Sequence, residues 1–577
     1  MMKKTGALSV FVTAMLAAML FVGAPSTAFA ASTVDILGAP DVATIQADIQ
    51  DAIDAEALAG GGEVTVIGEF YTADANLNLE IPQGVTLIWK AVYYGNAARL
   101  IDLGDNGTAT AGTFAVQDYR IENGEALGIT VYSTNTTILV SGGAVAATGV
   151  SGIAIRNESA LTQVTGGMVG SSGIGTMGDE SVGIASISGN IAVSGSGRVV
   201  ASGDRGIAIR NTTGNVYVGT GGTVSTSAEN CVAIRMYDSG LLAPGAIAID
   251  GGTIETTGDG SEGIYSEANT IAIASGSIMV GGSSSRGINT HMGNVYIEDV
   301  DIEVTKGGSI GIYTNSGLVG MIGGSFSITG DGSTAIQTNT ADVYLIDVTL
   351  ACTGDYATGV EIYYGFLATD GATTITAGGA NSVAVQVAGN GSAIIQGGPA
   401  SVSTTGIDSF ALRISELGSG VIAYLAGTVS GAIEVASSGS DASFGVIIEV
   451  DSLEISAERN GTKDGLAIKA IGVDTETGAD FDYYWDTENY SDPSENLLAV
   501  IKVVSVSPEQ DYDLLWADVF VPAGGDDGDD EDALGTTVTP RTGDSLLVLA
   551  MVALLCAAMS GGSLFAWSRR KESICIR

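Results

Sequence analysis

The middle of the chain alternates apolar and polar residues in short runs that recur about every 24 residues. Residues 263–286, GIYSEANTIAIASGSIMVGGSSSR, contain three such runs, GIYS, TIAIAS and SIMV, separated by Gly, Ser, Asn and Asp. Alternating runs bounded by turn-forming residues predict short β-strands. Similar blocks follow directly, and a fixed period of this size predicts a solenoid, because each repeat buries its apolar side chains only by stacking on its neighbours.

The phase of the repeat is set by an apolar residue that follows Gly or another small residue. In the run GIAIRN at 152–157, alternation predicts that Ile153 and Ile155 point into the solenoid while Ala154 and Arg156 point outward. Most intervals between successive phase residues are 23 to 25 residues. Between about 113 and 435 the phase residues are Ile129, Ile153, Ile184, Ile207, Val232, Ile264, Ile288, Ile312, Ile336, Val360, Val383 and Phe410.

An amphipathic helix precedes the repeats. In residues 41–58, Ile45, Ile49 and Ile53 recur at every fourth position, and three glycines at 60–62 end the pattern. The strand-like sequences GGGEVTVIGEFY and LNLEIPQGVTLIW follow. A helix before such strands resembles the N-terminal cap of right-handed parallel β-helix proteins of the pectate-lyase-like superfamily. The resemblance implies an all-β, right-handed parallel β-helix with rungs of about 24 residues, whose open end the helix covers.

Domain boundaries follow from where the repeat starts and stops. We assign 31–110 to the helix cap and first β rungs, and 111–445 to the parallel β-helix repeats. Residues 446–522 lose the period but keep alternating runs, so they predict a C-terminal β cap or small β domain. Residues 523–538 contain GGDDGDDED and predict an acidic linker.

The first thirty residues predict a signal peptide. Lys3 and Lys4 precede an apolar stretch at 7–22, and Ala-Phe-Ala at 28–30 has the small residues that signal peptidase requires. An N-terminal membrane anchor is the alternative. Either interpretation predicts an exported protein.

The segment 539–577 combines a pentapeptide, an apolar stretch and a basic tail. The apolar stretch 545–567 is long enough for a transmembrane helix, and the basic residues 569–571 predict a cytoplasmic tail. The three features together resemble a sortase cell-wall sorting signal of Gram-positive bacteria. The resemblance implies cleavage between Thr and Gly and attachment to peptidoglycan, although a Thr stands first where Leu is usual; a plain transmembrane anchor stays open. The pentapeptide is Thr539, Pro540, Arg541, Thr542 and Gly543.

Charge and composition exclude several function classes. A formal net charge of −43 repels nucleic acid and anionic lipid, so we expect neither as a partner. His291 is the only histidine and Lys306 the only lysine within 111–445, so we predict no enzyme and no cofactor. Calcium remains possible at Asp480, Asp482 and Asp486.

Outward positions of the repeats form the candidate binding face. The residues one and three positions after each phase residue form two stripes. Both stripes are rich in small and basic residues in the N-terminal repeats and in Tyr and Asn in the later repeats. Tyrosine rings stack on sugars and amides bond hydroxyls, so the stripes predict a glycan face, although a solvated strand face is the alternative. The candidate residues are Tyr265, Glu267, Asn289, His291, Tyr313, Asn315, Asn339 and Tyr363.

Arg210 and Arg235 are predicted to stack on adjacent rungs. Neighbouring like charges cost stability unless an anion lies between them. Asp204 or Glu229 is the expected internal partner, and an acidic sugar is the alternative.

These features predict a cell-surface-anchored β-helix protein that acts as an adhesin or carbohydrate-binding module. Its expected partners are sortase, peptidoglycan and a polysaccharide or host glycan, with membrane contact through the C-terminal helix before sorting. The alternatives are a surface polysaccharide lyase or hydrolase and a passive structural stalk.

Overall fold

Most repeats fold into three short strands, as their three apolar runs predict, and in the others the second and third runs form one long strand. The computed structural model describes residues 32–104, 111–170, 179–237, 245–388 and 400–414, the strand at 393–396, and backbone strands alone between 422 and 504. Equivalent strands of successive repeats pair in parallel, so the chain builds three columns of stacked strands. The predicted all-β parallel solenoid is therefore confirmed.

The first-strand column is one continuous parallel ladder until its last member, which is antiparallel. Its strands are Leu77–Asn78, Arg99–Asp102, Ile129–Ser133, Ile153–Asn157, Val182–Ser186, Ile207–Asn211, Val232–Met236, Glu262–Ser266, Arg286–Thr290, Ile310–Thr314, Thr334–Thr338, Thr358–Ile362, Val383–Val387, Phe410–Ile414, Ala432–Ala436, Ile468–Val473 and Asp480–Trp485.

The second-strand and third-strand columns join where one long strand runs through both, at Gly62–Ala73, Val85–Gly95, Ala246–Thr256 and Thr270–Val280. The other second strands are Ser32–Asp35, Thr113–Val116, Thr137–Val140, Thr162–Val164, Ile191–Val193, Val216–Gly219, Val295–Glu298, Leu318–Ile322, Asp342–Ile346, Phe366–Asp370, Ala393–Gln396, Ile422–Leu425, Phe444–Glu449 and Ala499–Val504. The other third strands are Arg120–Asn123, Ala144–Ala147, Met168–Gly170, Arg198–Ala201, Thr223–Thr226, Val300–Val304, Ser325–Ile328, Thr349–Cys352, Thr374–Ala377, Ser401–Thr404 and Thr428–Ser430.

The predicted helix spans Val42–Leu58 and packs on the first rung. Asp41 caps it, accepting a hydrogen bond from the Thr44 backbone N–H at 2.8 Å. Its apolar stripe, Ile45, Ile49 and Ile53, is fully buried in the same core as the strands. The helix therefore covers the N-terminal end of the core, and the strand Ser32–Asp35 pairs with the exposed edge of the first rung.

The predicted direction of two side chains is wrong. Ala154 is fully buried in the central core with Ile155, whereas Ile153 packs in a separate outer cluster with Val182 and Ile207. The strand ladder also skips Ala154, passing from Ile153 to Ile155. Because a small residue stands at this second position, two consecutive side chains fit inside, which interrupts simple alternation.

One buried serine stands before most of the middle first strands, and these serines form the serine row: Ser261, Ser285, Ser309, Ser333, Ser382 and Ser409. Each serine accepts a hydrogen bond from the backbone N–H one rung earlier, as Ser309 does from Ser285 at 3.1 Å. Its own hydroxyl donates to a carbonyl of a preceding turn, as Ser309 does to Gly282 at 2.8 Å. The residue just before each of these serines has a positive φ, for example Ser284 at 54°. These bonds fix the register between rungs without apolar burial.

Both cysteines of the described residues, Cys231 and Cys352, are free and buried. Burial raises the pKa of the Cys352 thiol to about 12. Stacking and the serine row, rather than a disulfide, hold these rungs together.

Parallel pairing continues beyond residue 445, through Phe444–Glu449 with Ala499–Val504. Ile468–Val473 pairs in parallel with Ala432–Ala436 and antiparallel with Asp480–Trp485. The predicted signal peptide 1–30, acidic linker 523–538 and sorting signal 539–577 lie outside the described residues. Within the described part, no helix is long and apolar enough to cross a membrane.

Candidate functional site

Two rows of outward side chains run along the first-strand column. The fourth residue of each strand forms one row, which we call the fourth-position row, and its members pair directly from rung to rung. The residue just after each strand forms the flanking row, and most of its backbone N–H groups donate to the preceding rung, as that of His291 does to the Ser266 carbonyl at 3.0 Å. The fourth-position row is Tyr132, Arg156, Ala185, Arg210, Arg235, Tyr265, Asn289, Tyr313, Gln337, Glu361, Gln386 and Arg413. The flanking row is Glu158, Ile187, Thr212, Tyr237, Glu267, His291, Asn315, Asn339 and Tyr363.

The stripes predicted from the sequence mixed these rows, because the phase residues do not occupy the same position in every strand but differ by two residues. Ile153 is the first residue of its strand, whereas Ile264 is the third of its own. The stripe one residue after the phase therefore joined buried Ala154 to outward Tyr265. The structure brings all eight candidate residues onto one face, with Tyr265, Asn289 and Tyr313 in the fourth-position row and Glu267, His291, Asn315, Asn339 and Tyr363 in the flanking row.

Arginines cover Tyr265 and Tyr313 of the fourth-position row. The Arg235 guanidinium lies 5.2 Å from the centre of the Tyr265 ring, and that of Arg286 lies 4.8 Å from the centre of Tyr313. Sequence reasoning missed Arg286, because it is the first residue of its strand rather than the fourth. Such cation–π contacts hold the rings in place and occupy part of their stacking surface.

The flanking row is more open to solvent. Tyr363 is 37% exposed and its neighbour Tyr364 is 49% exposed, while His291 is also exposed. Asn339 donates an amide hydrogen bond to Asn315 at 2.8 Å, which orients both amides along the row. The accessible aromatic and amide groups therefore lie mainly in the flanking row.

A glutamate at the start of its strand contacts two residues of the next rung. Glu262 accepts a hydrogen bond from the Asn289 amide at 2.5 Å and lies 3.7 Å from the Arg286 guanidinium. Burial, and next the nearby Glu267, raise the pKa of Tyr265, so its phenol stays protonated. This part of the face is a connected polar network on rigid backbone.

Glu361 is the fourth-position carboxylate between two amides. Gln337 donates to it at 2.7 Å and Gln386 at 3.5 Å. Burial raises the pKa of Glu361, while hydrogen bonds from Gln337 and Tyr363 oppose that rise. Glu361 is thus a half-buried acid on an otherwise neutral part of the face.

A cavity of about 320 Å³ opens on the same face where the row has its smallest side chain. Ala185 stands between Arg156 and Arg210 in the ladder, so no long side chain fills that rung. The residues that line the cavity are Arg156, Glu158, Ala185, Ser186, Ile187, Arg210, Thr212 and Tyr237.

The expected carboxylate partners of the stacked arginines do not pair with them. Asp204 and Glu229 form no ion pair with Arg210 or Arg235 among the described residues. Their turn instead holds an ion pair between Arg205 and Glu180 at 2.9 Å. The prediction of an internal partner is therefore wrong, because Asp204 and Glu229 lie in the turns that precede the first strands, whereas the arginines are the fourth residues of those strands.

No group of three or more His, Cys, Asp or Glu side chains within the described part is arranged to hold a metal ion. The calcium candidates fall outside this test, because the side chains of Asp480 and Asp482 and the whole of Asp486 lie outside the described residues.

No family model and no curated protein matches this chain. Among solved structures, the chain is similar to the A-module of the mannuronan C-5 epimerase AlgE4 from Azotobacter vinelandii. The identity is 14% and the TM-score 0.22, over 67% of this chain and 96% of that one. At these values we draw nothing about activity from the similarity.

Proposed function

We propose that the chain is an exported, cell-wall-anchored β-helix protein whose first-strand face binds polysaccharide without cleaving it. The observation that carries this proposal is the register of the two outward rows. Strands stack about 4.8 Å apart, so the face offers a new set of side chains at that spacing over many rungs. A polysaccharide is itself a repeating ligand, and a chain lying along the solenoid axis meets several of these sets at once.

The chemistry of the face suits sugars. Asn315 and Asn339 supply amide donors and acceptors for hydroxyl groups, and the exposed tyrosines supply rings for the apolar faces of sugars. Because Arg235 and Arg286 already lie over Tyr265 and Tyr313, we assign the stacking role to Tyr363 and Tyr364.

The test is retention of the purified protein on a panel of immobilised neutral and acidic polysaccharides. The eluate is assayed for new reducing ends and for unsaturated sugars. Retention without new ends supports the proposal. New ends would contradict the binding-only function, and no retention on any polysaccharide would leave the chain as a passive stalk.

Cleavage is the second candidate, as a lyase or hydrolase. It is favoured by Glu361, since burial raises its pKa in the direction that a general acid needs. If new ends appear in the retention assay, Glu361→Gln is expected to abolish them.

Wall anchoring rests on the C-terminal segment. In this proposal sortase cuts between Thr542 and Gly543 and joins the chain to peptidoglycan. Before that cut, the segment 545–567 holds the chain in the membrane. The region 446–522 is proposed to close the solenoid. Thr542→Ala is expected to shift the protein from the wall fraction to the membrane or medium. Unchanged wall linkage of that variant would contradict sorting.

A further inference from the structure

The cavity at Ala185 lies between two arginines with different partners. Arg156 pairs with Glu158 at 3.1 Å, and the Tyr132 hydroxyl donates to the same carboxylate at 3.1 Å. Arg210, on the other side of Ala185, forms no hydrogen bond or ion pair within the part of the chain that the structure describes. One wall of the cavity is therefore neutralised and the other carries a free positive charge.

The next arginine extends this charge by one rung. Arg235 pairs with Arg210 in the ladder, and its Nε is buried without a hydrogen-bond partner among the described residues. Burial is the main cause that lowers the pKa of Arg210; Tyr237 opposes it as the next largest effect, and the nearby Arg156 and Arg235 lower the pKa further. Like charges on adjacent rungs repel, so a negative group between them relieves the repulsion and satisfies both guanidinium groups.

The cavity also has room and polar groups for more than a bare anion. Its volume of about 320 Å³ is at the lower end of the range for small-molecule sites, roughly 300–1,000 Å³. Thr212 and Tyr237 line it together with the arginines, and they add a hydroxyl and an aromatic ring of the kind that sugars contact.

We propose that this cavity, extended by Arg235, binds a carboxylate or sulfate group carried by a sugar. The guanidinium group presents two parallel N–H donors that match the two oxygens of such a group. The inference rests on the proposed function and deepens it, because it assigns acidic polysaccharide to the N-terminal half of the face. The protein has a net charge of −43, so it does not attract anions at long range, and its affinity for the acidic sugar comes from these contacts at short range.

The experiment measures binding of trigalacturonate, its methyl ester and inorganic sulfate to the purified protein by calorimetry. Arg210→Gln removes one charged hydrogen-bonding partner of the ligand, so it is expected to weaken trigalacturonate binding by about tenfold or more. Arg198→Gln removes the same charge from an exposed position in the third-strand column and is expected to change binding less than about twofold. The methyl ester is expected to bind at least about tenfold more weakly than the acid. Arg210→Lys, which keeps the charge but loses the paired donors, is expected to fall between wild type and Arg210→Gln.

Three results overturn the inference: no binding of the acid, equal binding of acid and ester, or wild-type affinity in Arg210→Gln. If trigalacturonate does not bind but the wild type retains a neutral polysaccharide that Tyr363→Ala has lost, the anion site fails while the proposed function stands. Binding of trigalacturonate that depends on Arg210, without retention on any polysaccharide, supports the anion site and contradicts the proposed function. Binding of sulfate alone, without the sugar acid, contradicts a sugar-borne ligand.

Discussion

At the scale of single residues, the serine row is a polar device for holding rungs together inside the solenoid. Ser309 accepts the Ser285 backbone N–H and donates to the Gly282 carbonyl. At Ala357 the chain omits the hydroxyl, and Ser333, one rung earlier, bonds through its N–H to Gly330 at a longer 3.3 Å. The row therefore tolerates a gap, but each gap leaves a buried N–H less well satisfied.

We expect Ser309→Ala to lower the free energy of unfolding by about 1–3 kcal/mol, because it leaves a buried N–H without its acceptor. Chemical denaturation measures this change. Ser159→Ala is the control, since the Ser159 hydroxyl is exposed and bonds to a Thr134 carbonyl at the surface, and we expect a change within about 0.5 kcal/mol. Equal effects of the two substitutions would show that the buried row contributes no special stability.

Glu361 makes stability depend on pH. Burial raises its pKa in the folded state, so the folded chain holds this proton at pH values where the unfolded chain has lost it. Its ionisation therefore destabilises the fold as pH rises from the ordinary glutamate pKa through the raised one. We expect Glu361→Gln to raise the melting temperature near pH 7 and to leave it almost unchanged near pH 4.

The control for this prediction is Glu303→Gln, which changes an exposed glutamate on a third strand. It is expected to shift the melting temperature little at either pH. A gain in Glu361→Gln that is the same at both pH values would mean that the ionisation of Glu361 does not matter for stability.

At the scale of elements, the helix Val42–Leu58 closes one end of the core. We expect Ile49→Ala to lower the free energy of unfolding by about 2–5 kcal/mol, because it leaves a cavity between the helix and the first rung. Leu58→Ala, at a position that is 92% exposed, is expected to cost less than about 0.5 kcal/mol. A small effect of Ile49→Ala would show that the helix is not an integral part of the fold.

The sequence predicts these elements well where periodicity alone decides them. The isoleucine spacing predicts the helix to within one residue, and the three apolar runs predict the three strands of most repeats. It fails where side-chain size changes the alternation, as at Ala154, because two consecutive residues then face inward. The arginine contacts of Tyr265 and Tyr313 depend on pairing between rungs, which the spacing within one repeat does not reveal.

At the scale of the whole molecule, the solenoid gives a rigid surface whose character changes along its axis. Arginines and the Ala185 cavity lie toward the N-terminal part of the first-strand face, and amides, Glu361 and exposed tyrosines follow in later rungs. A long polysaccharide contacts both parts, so charge recognition and sugar stacking act on one ligand through many weak contacts.

The most direct test of this function compares two tyrosines that differ chiefly in position. Tyr363, on the face, and Tyr71, on the strand Gly62–Ala73, are both exposed, and each is hydrogen-bonded to a glutamate two residues earlier. The measurement is the affinity of wild type, Tyr363→Ala and Tyr71→Ala for the polysaccharide that the panel retains. We expect Tyr363→Ala to weaken binding by about fivefold or more, as the loss of a stacking ring of about 1 kcal/mol requires, and Tyr71→Ala to bind as wild type does. Equal affinity of all three proteins would contradict polysaccharide binding by the first-strand face.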